Sequence, residues 1–229
     1  MSQHTSSAAV LDGGQASRFG GRDKGALLVD GRTIRDRLIA ELAALTTDLL
    51  IVGEGDVAQR VQHVAQGFQP CDRSPERAAP QQAQPWPHQT QPRAIADIVP
   101  GCGPLGGLHA ALTEARGDVL VVVACDMPYV TSAFLGYLLS LADDVDVVVP
   151  RTERGYHPLC AVYTRACLEP AAARLAERRL KMLDFLAGLR TRTVPVEEIR
   201  RFGDPDRLLT NVNTPADYAG LDALQGHKQ

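Results

Sequence analysis

Aromatic residues are scarce in this chain: five Phe, five Tyr and one Trp make up 5% of 229 residues, although hydrophobic residues as a whole reach 45%. A core of useful size must therefore be filled mainly by Leu, Val and Ala. Paired cysteines are absent too. Cys71, Cys102, Cys125, Cys160 and Cys167 are odd in number and none falls in a CxxC pair, which argues against a disulfide framework or a zinc site and for reduced thiols. No run approaches the roughly 18–20 apolar residues that cross a bilayer, so no membrane association is expected. The first seven residues are polar, with no basic segment leading into an apolar one, so no secretory leader is expected and the predicted location is cytoplasmic. Positive charge is not in excess: the formal net charge of −3 disfavours a general nucleic-acid binder, while leaving room for a local cationic pocket. Two phosphate-binding signatures are also missing. Without GxxxxGK[ST] the chain is not a standard P-loop protein, and without GxGxxG a dinucleotide fold is disfavoured.

What the chain does have is an alternation of short β-like runs with helical patterns. Residues 8–11 and 49–52 read as buried strands, and 119–124 (VLVVVA) as a central parallel strand, continuous and β-branched. Ile34, Leu38, Leu42 and Leu45 share a helical face, with Thr33 placed to cap it. Further helices are predicted near 56–65, over 106–115, 131–142 and 166–178, near Leu183, and after Thr214, with Pro215 in the first turn. Strands are predicted at 94–97, 145–149 and 158–164, with an edge strand at 191–195. This order implies an α/β protein with a mostly parallel central sheet between helical layers, a three-layer Rossmann-like fold. The expected organisation is a single domain over 1–229, interrupted at about 66–93 by a Gln/Pro-rich, flexible insertion whose prolines forbid regular structure. Trp86 within it fits either a docking anchor or a ring packed on the nearest surface.

Two places carry chemistry. The first strand runs into LDGGQASRFGGRDK at residues 11–24. Glycines 13, 14, 20 and 21 let backbone N–H groups approach and cradle phosphate oxygens, and Arg18 and Lys24 add fixed positive charge. The same residues also fit a plain βα turn with solvated charges. Asp126 directly follows the strongest strand, where open α/β sheets bind ligands, so its carboxylate suits Mg²⁺ or, alternatively, the N-cap of a following helix. No Ser/His/Asp or Cys/His constellation is present to nominate. His157, before a proline and without neighbouring ligands, reads as structural, and Cys125 and Cys160 read as buried and inert.

These residues resemble the molybdenum cofactor guanylyltransferases, whose signature reads LAGGxxxRMGxxDK. Further matches follow in the family's order: Asp97 with GPLGG at 103–107, CDMP at 125–128, HPLC at 157–160 and NVNTP at 211–215. The resemblance spans nearly the whole chain outside the insertion. Related cytidylyltransferases typically carry LAAG, and the absence of a Cβ at Gly13 leaves more room for a purine. Asp12 departs from the family's Ala, bringing a carboxylate beside the phosphates unless it turns away. Gly53 stands where an Asn often helps hold the base, and Phe19 replaces Met.

The resemblance implies transfer of GMP from Mg-GTP to the terminal phosphate of molybdopterin or Mo-molybdopterin, with release of pyrophosphate. Arg18, Lys24 and Asp126 would be catalytic, with Asp126 the Mg²⁺ ligand. Leu11, Asp12, Gly13, Gly14, Lys24, Asp97 and Asp126 would hold the nucleotide; Asp97 is suited to the N1–H and N2–H₂ edge of guanine or to ribose hydroxyls, and otherwise reads as a solvated residue after a strand. Arg18, Gly21, Gly103, Gly107, Arg179, Asn211 and Asn213 would contact molybdopterin, Gly103 and Gly107 through a close-approaching GPLGG loop. Implied partners are molybdenum-insertion proteins and apo-molybdoenzymes or their chaperones. The alternatives are a cytidylyltransferase for the same acceptor and a catalytically weak nucleotide- or cofactor-binding homologue.

Overall fold

The structure is a computed structural model that describes residues 4–12, 24–53, 91–99 and 101–225. Continuous apolar runs form the inner strands, because a strand covered on both faces has no side for polar residues. They are β1 (Ser6–Leu11), β4 (Asp48–Gly53) and β6 (Val119–Ala124), and β6 is buried at every position. The short strands β2 (Leu28–Val29) and β3 (Arg32–Thr33) form a separate antiparallel hairpin. The main sheet is completed by β5 (Arg93–Ala96), β7 (Val147–Thr152), β8 (Gly155–Tyr156), β9 (Cys160–Thr164) and β10 (Thr191–Val194). Its order is β10-β7-β9-β6-β1-β4-β5, with β8 paired to β7. Every neighbouring pair along this path is parallel except the two made by β9.

Helices cover both faces. On one side α1 (Ile34–Ala43) and α3 (Ser132–Leu139) pack Leu38, Leu42, Phe134 and Leu138 against Val10, Val121 and Val123. On the other, α2 (Gly103–Glu114), α4 (Leu168–Ala176) and α5 (Met182–Leu186) pack Leu105, Leu108, Leu175 and Phe185 against Leu50, Val122 and Tyr163. Alternate residues of one strand feed the two cores, as the period of two in a β-strand requires. The expected three-layer α/β/α arrangement is thus observed. The chain closes with α6 (Val196–Ile199), α7 (Pro205–Leu208) and α8 (Pro215–Gln225).

Local signals were read correctly at several helix starts. Thr33 Oγ1 accepts from the Asp36 amide, Thr131 Oγ1 from that of Phe134, and Thr214 Oγ1 from that of Asp217. Two boundaries need correction. The second long helix starts at Gly103 and not Gly106, because Pro104 sits comfortably in a first turn, so GPLGG is helix and not loop. The Gln/Pro-rich insertion ends before Arg93, which is already paired in β5 opposite Leu50. The helix expected at 56–65, Trp86 and Cys71 lie outside the described residues.

The amino end of β1 depends on a glycine. A Cβ at Gly117 would lie 2.6 Å from the Thr5 carbonyl oxygen and 2.8 Å from the Ser7 nitrogen, both backbone atoms that cannot step aside. Gly117→Ala is therefore expected to cost about 1–3 kcal/mol of unfolding free energy in urea titration. An unchanged midpoint would show that the start of β1 is not held there.

Candidate active site

β1, β4, β5 and β6 all run the same way, so their carboxyl ends share one edge of the sheet. Leu11 is level with Val52 and Ala124, and Gly53 with Ala96. One residue beyond β6 the Cys125 amide donates to the Leu11 carbonyl at 3.1 Å, and Asp126 then emerges from the edge.

Four side chains converge there. Asn211 Nδ2 donates to Asp126 Oδ1 at 2.9 Å, Lys24 Nζ lies 3.8 Å from Asp126 Oδ2, and Lys24 Nζ donates to Asn213 Oδ1 at 3.2 Å. The Lys24 and Asp126 side chains are only 21% and 14% exposed, so their charges act across little water. The segment carrying the asparagines is pinned at both ends. The Val212 amide donates to the Asp126 carbonyl at 2.8 Å, and Asp217 Oδ2 accepts from the amides of Asn213 and Thr214 at 2.9 and 2.8 Å while Thr214 caps α8 in return. Burial raises the Asp126 pKa, and the Asn211 hydrogen bond and the Lys24 charge only partly oppose it.

Such a carboxylate, with the Asn211 amide on one oxygen and the Lys24 ammonium near the other, suits a hard cation. Among the described residues no group of three or more His, Cys, Asp or Glu forms an all-protein metal cage. One carboxylate fits Mg²⁺, which usually keeps one or two carboxylates and completes its shell with phosphate oxygens and water.

Asp12 is buried and paired. It is 6% exposed, and its Oδ2 accepts from Arg35 Nη2 at 2.7 Å. Arg35 is 5% exposed on the inner face of α1. Burial, followed by the charges of Asp12 and Asp126, raises the Cys125 thiol pKa far out of reach, so this cysteine is inert as expected. Cys160 is likewise fully buried, its pKa raised to about 12 by burial. His157 bonds Thr152 Oγ1 at 2.9 Å, and burial with the nearby Arg154 charge lowers its pKa, in keeping with a structural role.

Asp97 follows β5 on the same edge. Its amide donates to the Gly53 carbonyl at 3.1 Å and its Oδ1 accepts from the Val99 amide at 3.2 Å. Both its oxygens lie about 3 Å from where a Cβ at Gly106 would be, so Gly106 makes the space that this carboxylate occupies over the first turn of α2. Gly103 adopts a φ of +60°, which favours glycine, at the amino end of that helix. Gly107 faces the sheet, 3.5 Å from Leu11 if given a Cβ, and lets α2 pack closely against β1. Arg179 is exposed and pairs with Glu177 at 3.4 Å. It follows α4, which starts beyond the end of antiparallel β9 and returns past α2 toward the edge that carries Asp126. Gly13, Gly14, Arg18 and Gly21 lie outside the described residues. A cleft of about 490 Å³ opens alongside, between α1, residues 128–131 and residues 202–208, and none of the clustered side chains lines it.

Arg35 and Gly106 were not anticipated. Arg35 had a readable signal: with Leu38, Ile39 and Leu42 it follows the i, i+3, i+4, i+7 spacing of the buried face. A charge on that face demands a partner.

Comparison with known proteins agrees with this arrangement. The family model for the MobA-like NTP transferase domain matches residues 8–191. A probable molybdenum cofactor guanylyltransferase from Pelotomaculum thermopropionicum is 37% identical over 125 residues, which is 55% of this chain and 61% of that protein, so the match spans a little under two thirds of the relative. The molybdenum cofactor guanylyltransferase from Desulfosudis oleivorans is 30% identical over 216 residues, 93% of each chain. The crystal structure of molybdopterin-guanine dinucleotide biosynthesis protein A from Archaeoglobus fulgidus superposes with a TM-score of 0.71 at 21% identity, covering 97% of this chain and 100% of that one, and speaks for the fold. No helix among the described residues is long and apolar enough to cross a membrane. With the family model and a full-length relative in agreement, the chain belongs to the MobA-like NTP transferase family.

Proposed function

We propose that the protein transfers GMP from GTP to the terminal phosphate of molybdopterin or Mo-molybdopterin and releases pyrophosphate, as a cytoplasmic enzyme. The observation that carries this reading is the approach of Lys24 to Asp126, 3.8 Å apart at the carboxyl edge of the sheet. A phosphate monoester has a second pKa of about 6 and is largely dianionic at neutral pH, so it attacks the α-phosphate of GTP without a general base. The task left to the protein is to bring two anions together and hold them in line. Lys24 supplies fixed positive charge toward the triphosphate, with Arg18 as its expected companion. Asp126 is the residue to hold Mg²⁺, which when bound draws charge from the phosphate oxygens.

Asp97 lies three strands along the edge from Asp126, about 14 Å at ordinary strand spacing. That separation would suit a base held at β5 and reacting phosphates held at β1 and β6. Asn211, Asn213, Gly103 and Arg179 would face the acceptor, with Gly21 beside them, while Gly107 serves through packing. Molybdenum-insertion proteins and apo-molybdoenzymes or their chaperones are the expected partners.

The test is pyrophosphate release from purified protein with molybdopterin, comparing GTP with CTP in competition. GTP is expected to win, and chelation of divalent metal by EDTA to stop the reaction until Mg²⁺ is restored. Preference for CTP would assign the chain to cytidylyl transfer, and tight GTP binding without turnover on any acceptor would make it a binding protein. Asp97→Ala is expected to raise the KM for GTP about tenfold with a smaller change in kcat, because a contact made equally in ground and transition states is lost.

A further inference from the structure

Arg35 does more than neutralise Asp12. Its guanidinium lies against Gly25, the residue after Lys24: a Cβ there would fall 2.7 Å from Arg35 Nη2 and 3.0 Å from Arg35 Cζ. The same Nη2 donates to Asp12 Oδ2 at 2.7 Å. One buried side chain thus reaches both residues that flank segment 13–23 on the outside, Asp12 before it and the Lys24–Gly25 step after it. The contacts then close on themselves. Leu11, next to Asp12, accepts from the Cys125 amide at 3.1 Å, Cys125 precedes Asp126, Asp126 faces Lys24, and Lys24 leads into Gly25 under Arg35. The backbone supports the same geometry: the Leu27 amide donates to the Lys24 carbonyl at 3.1 Å and the Ile34 amide to the Leu27 carbonyl at 2.9 Å, which seats the turn Lys24–Ala26 on the start of α1.

We propose that the buried Arg35–Asp12 pair is a positioning device that ties together the two ends of the glycine-rich turn and so fixes Lys24 against Asp126. Arg35 and Asp12 act through Lys24 and do not themselves touch the reacting atoms. The planar guanidinium is suited to this task, because Nη2 donates to the Asp12 carboxylate while Nη2, Cζ and Nε together lie within 3.2 Å of where a Gly25 Cβ would be. It also gives Asp12 a purpose at a position where the family signature carries Ala. The inference rests on the proposed roles of Lys24 and Asp126, but its test does not depend on turnover.

The chain contains three lysines, Lys24, Lys181 and Lys228. Amine labelling of the full-length protein without nucleotide, resolved by peptide mass spectrometry, therefore reads Lys24 directly with Lys181 as internal reference. The variant is Asp12→Ala/Arg35→Met, which removes both charges and leaves neither buried alone. The expected result is several-fold faster labelling of Lys24 at an unchanged Lys181 rate, in a protein that still melts cooperatively. Gly25→Ala, whose new methyl displaces the guanidinium, is expected to do the same and decides the matter if the double variant does not fold. An unchanged Lys24 rate in a folded variant would overturn the proposal. In the assay with GTP and acceptor, kcat of the double variant is expected to fall about ten- to hundredfold, the usual consequence of a misplaced catalytic group. If the parent protein shows no turnover, the functional reading fails while the labelling result still decides the positioning role.

Discussion

Asp126→Ala is expected to abolish GTP-dependent pyrophosphate release, with a loss of at least about 10²–10³ in kcat, the scale seen when one preorganised charge-stabilising group is removed. The loss is expected without unfolding. Asp126, its side chain 14% exposed, follows a strand that is itself fully buried, and partial burial raises its pKa despite Asn211 and Lys24. A carboxyl whose folded-state pKa lies above its unfolded value opposes folding once it is ionised, and that penalty is complete at pH above the folded value. At neutral pH the native acid is therefore a cost to the fold. Asp126→Asn, which keeps the shape and an acceptor for Asn211, should melt at the same temperature as the parent or higher while losing activity. Stability exchanged for function in this way is what a reaction centre predicts. A variant that keeps parental activity, or one that loses activity only because it unfolds, would remove Asp126 from the centre of the mechanism.

The second large effect runs against the family signature. Changing Asp12 to the Ala of that signature would normally be classed as a consensus repair. In this chain it removes the carboxylate that pairs with Arg35 at 2.7 Å, where Arg35 is 5% exposed on the same helix face as Leu38, Ile39 and Leu42. Removing one partner of a buried ion pair costs about 3–5 kcal/mol, because the remaining charge has lost its solvent and its counter-charge. For a chain of this length that corresponds to a fall in Tm on the order of 10 °C. Adding Arg35→Met to the same variant should recover most of the loss, since a well-packed apolar residue often replaces a buried ion pair at little cost. Additive effects of the two substitutions, measured in a double-mutant cycle by chemical denaturation, would mean that the two side chains do not interact.

The layered fold was largely legible because its signals are local. The run VLVVVA needs burial on both faces, and Thr33, Thr131 and Thr214 each stand immediately before a helical pattern. The antiparallel direction of β9 was not legible, since alternation in a sequence fixes the period of a strand and not its direction. The start of α2 was missed because three glycines at 103, 106 and 107 weigh against a helix by propensity, while Pro104 in the first turn and the packing of Gly107 on Leu11 outweigh them in the folded chain. At the site, Asp126 could be nominated from its place after a central strand. Asn211 and Asn213 could be nominated only through the family resemblance, because they lie more than eighty residues away from Asp126 and only the fold brings them to it. Asp12 looked like an unwelcome charge because its partner is held on a helix that sequence distance does not connect to it.

The sheet also separates two kinds of evolutionary change. Among the described residues β5, which leads to Asp97, is bonded on one side, whereas β1 and β6, which lead to Asp12 and Asp126, each have neighbours on both sides. A border strand can shift, lengthen or exchange residues without unzipping the interior. If base choice is read at that border, substrate preference can drift while the machinery two strands further in stays intact, and related chains with different donors need differ little at their reacting centres.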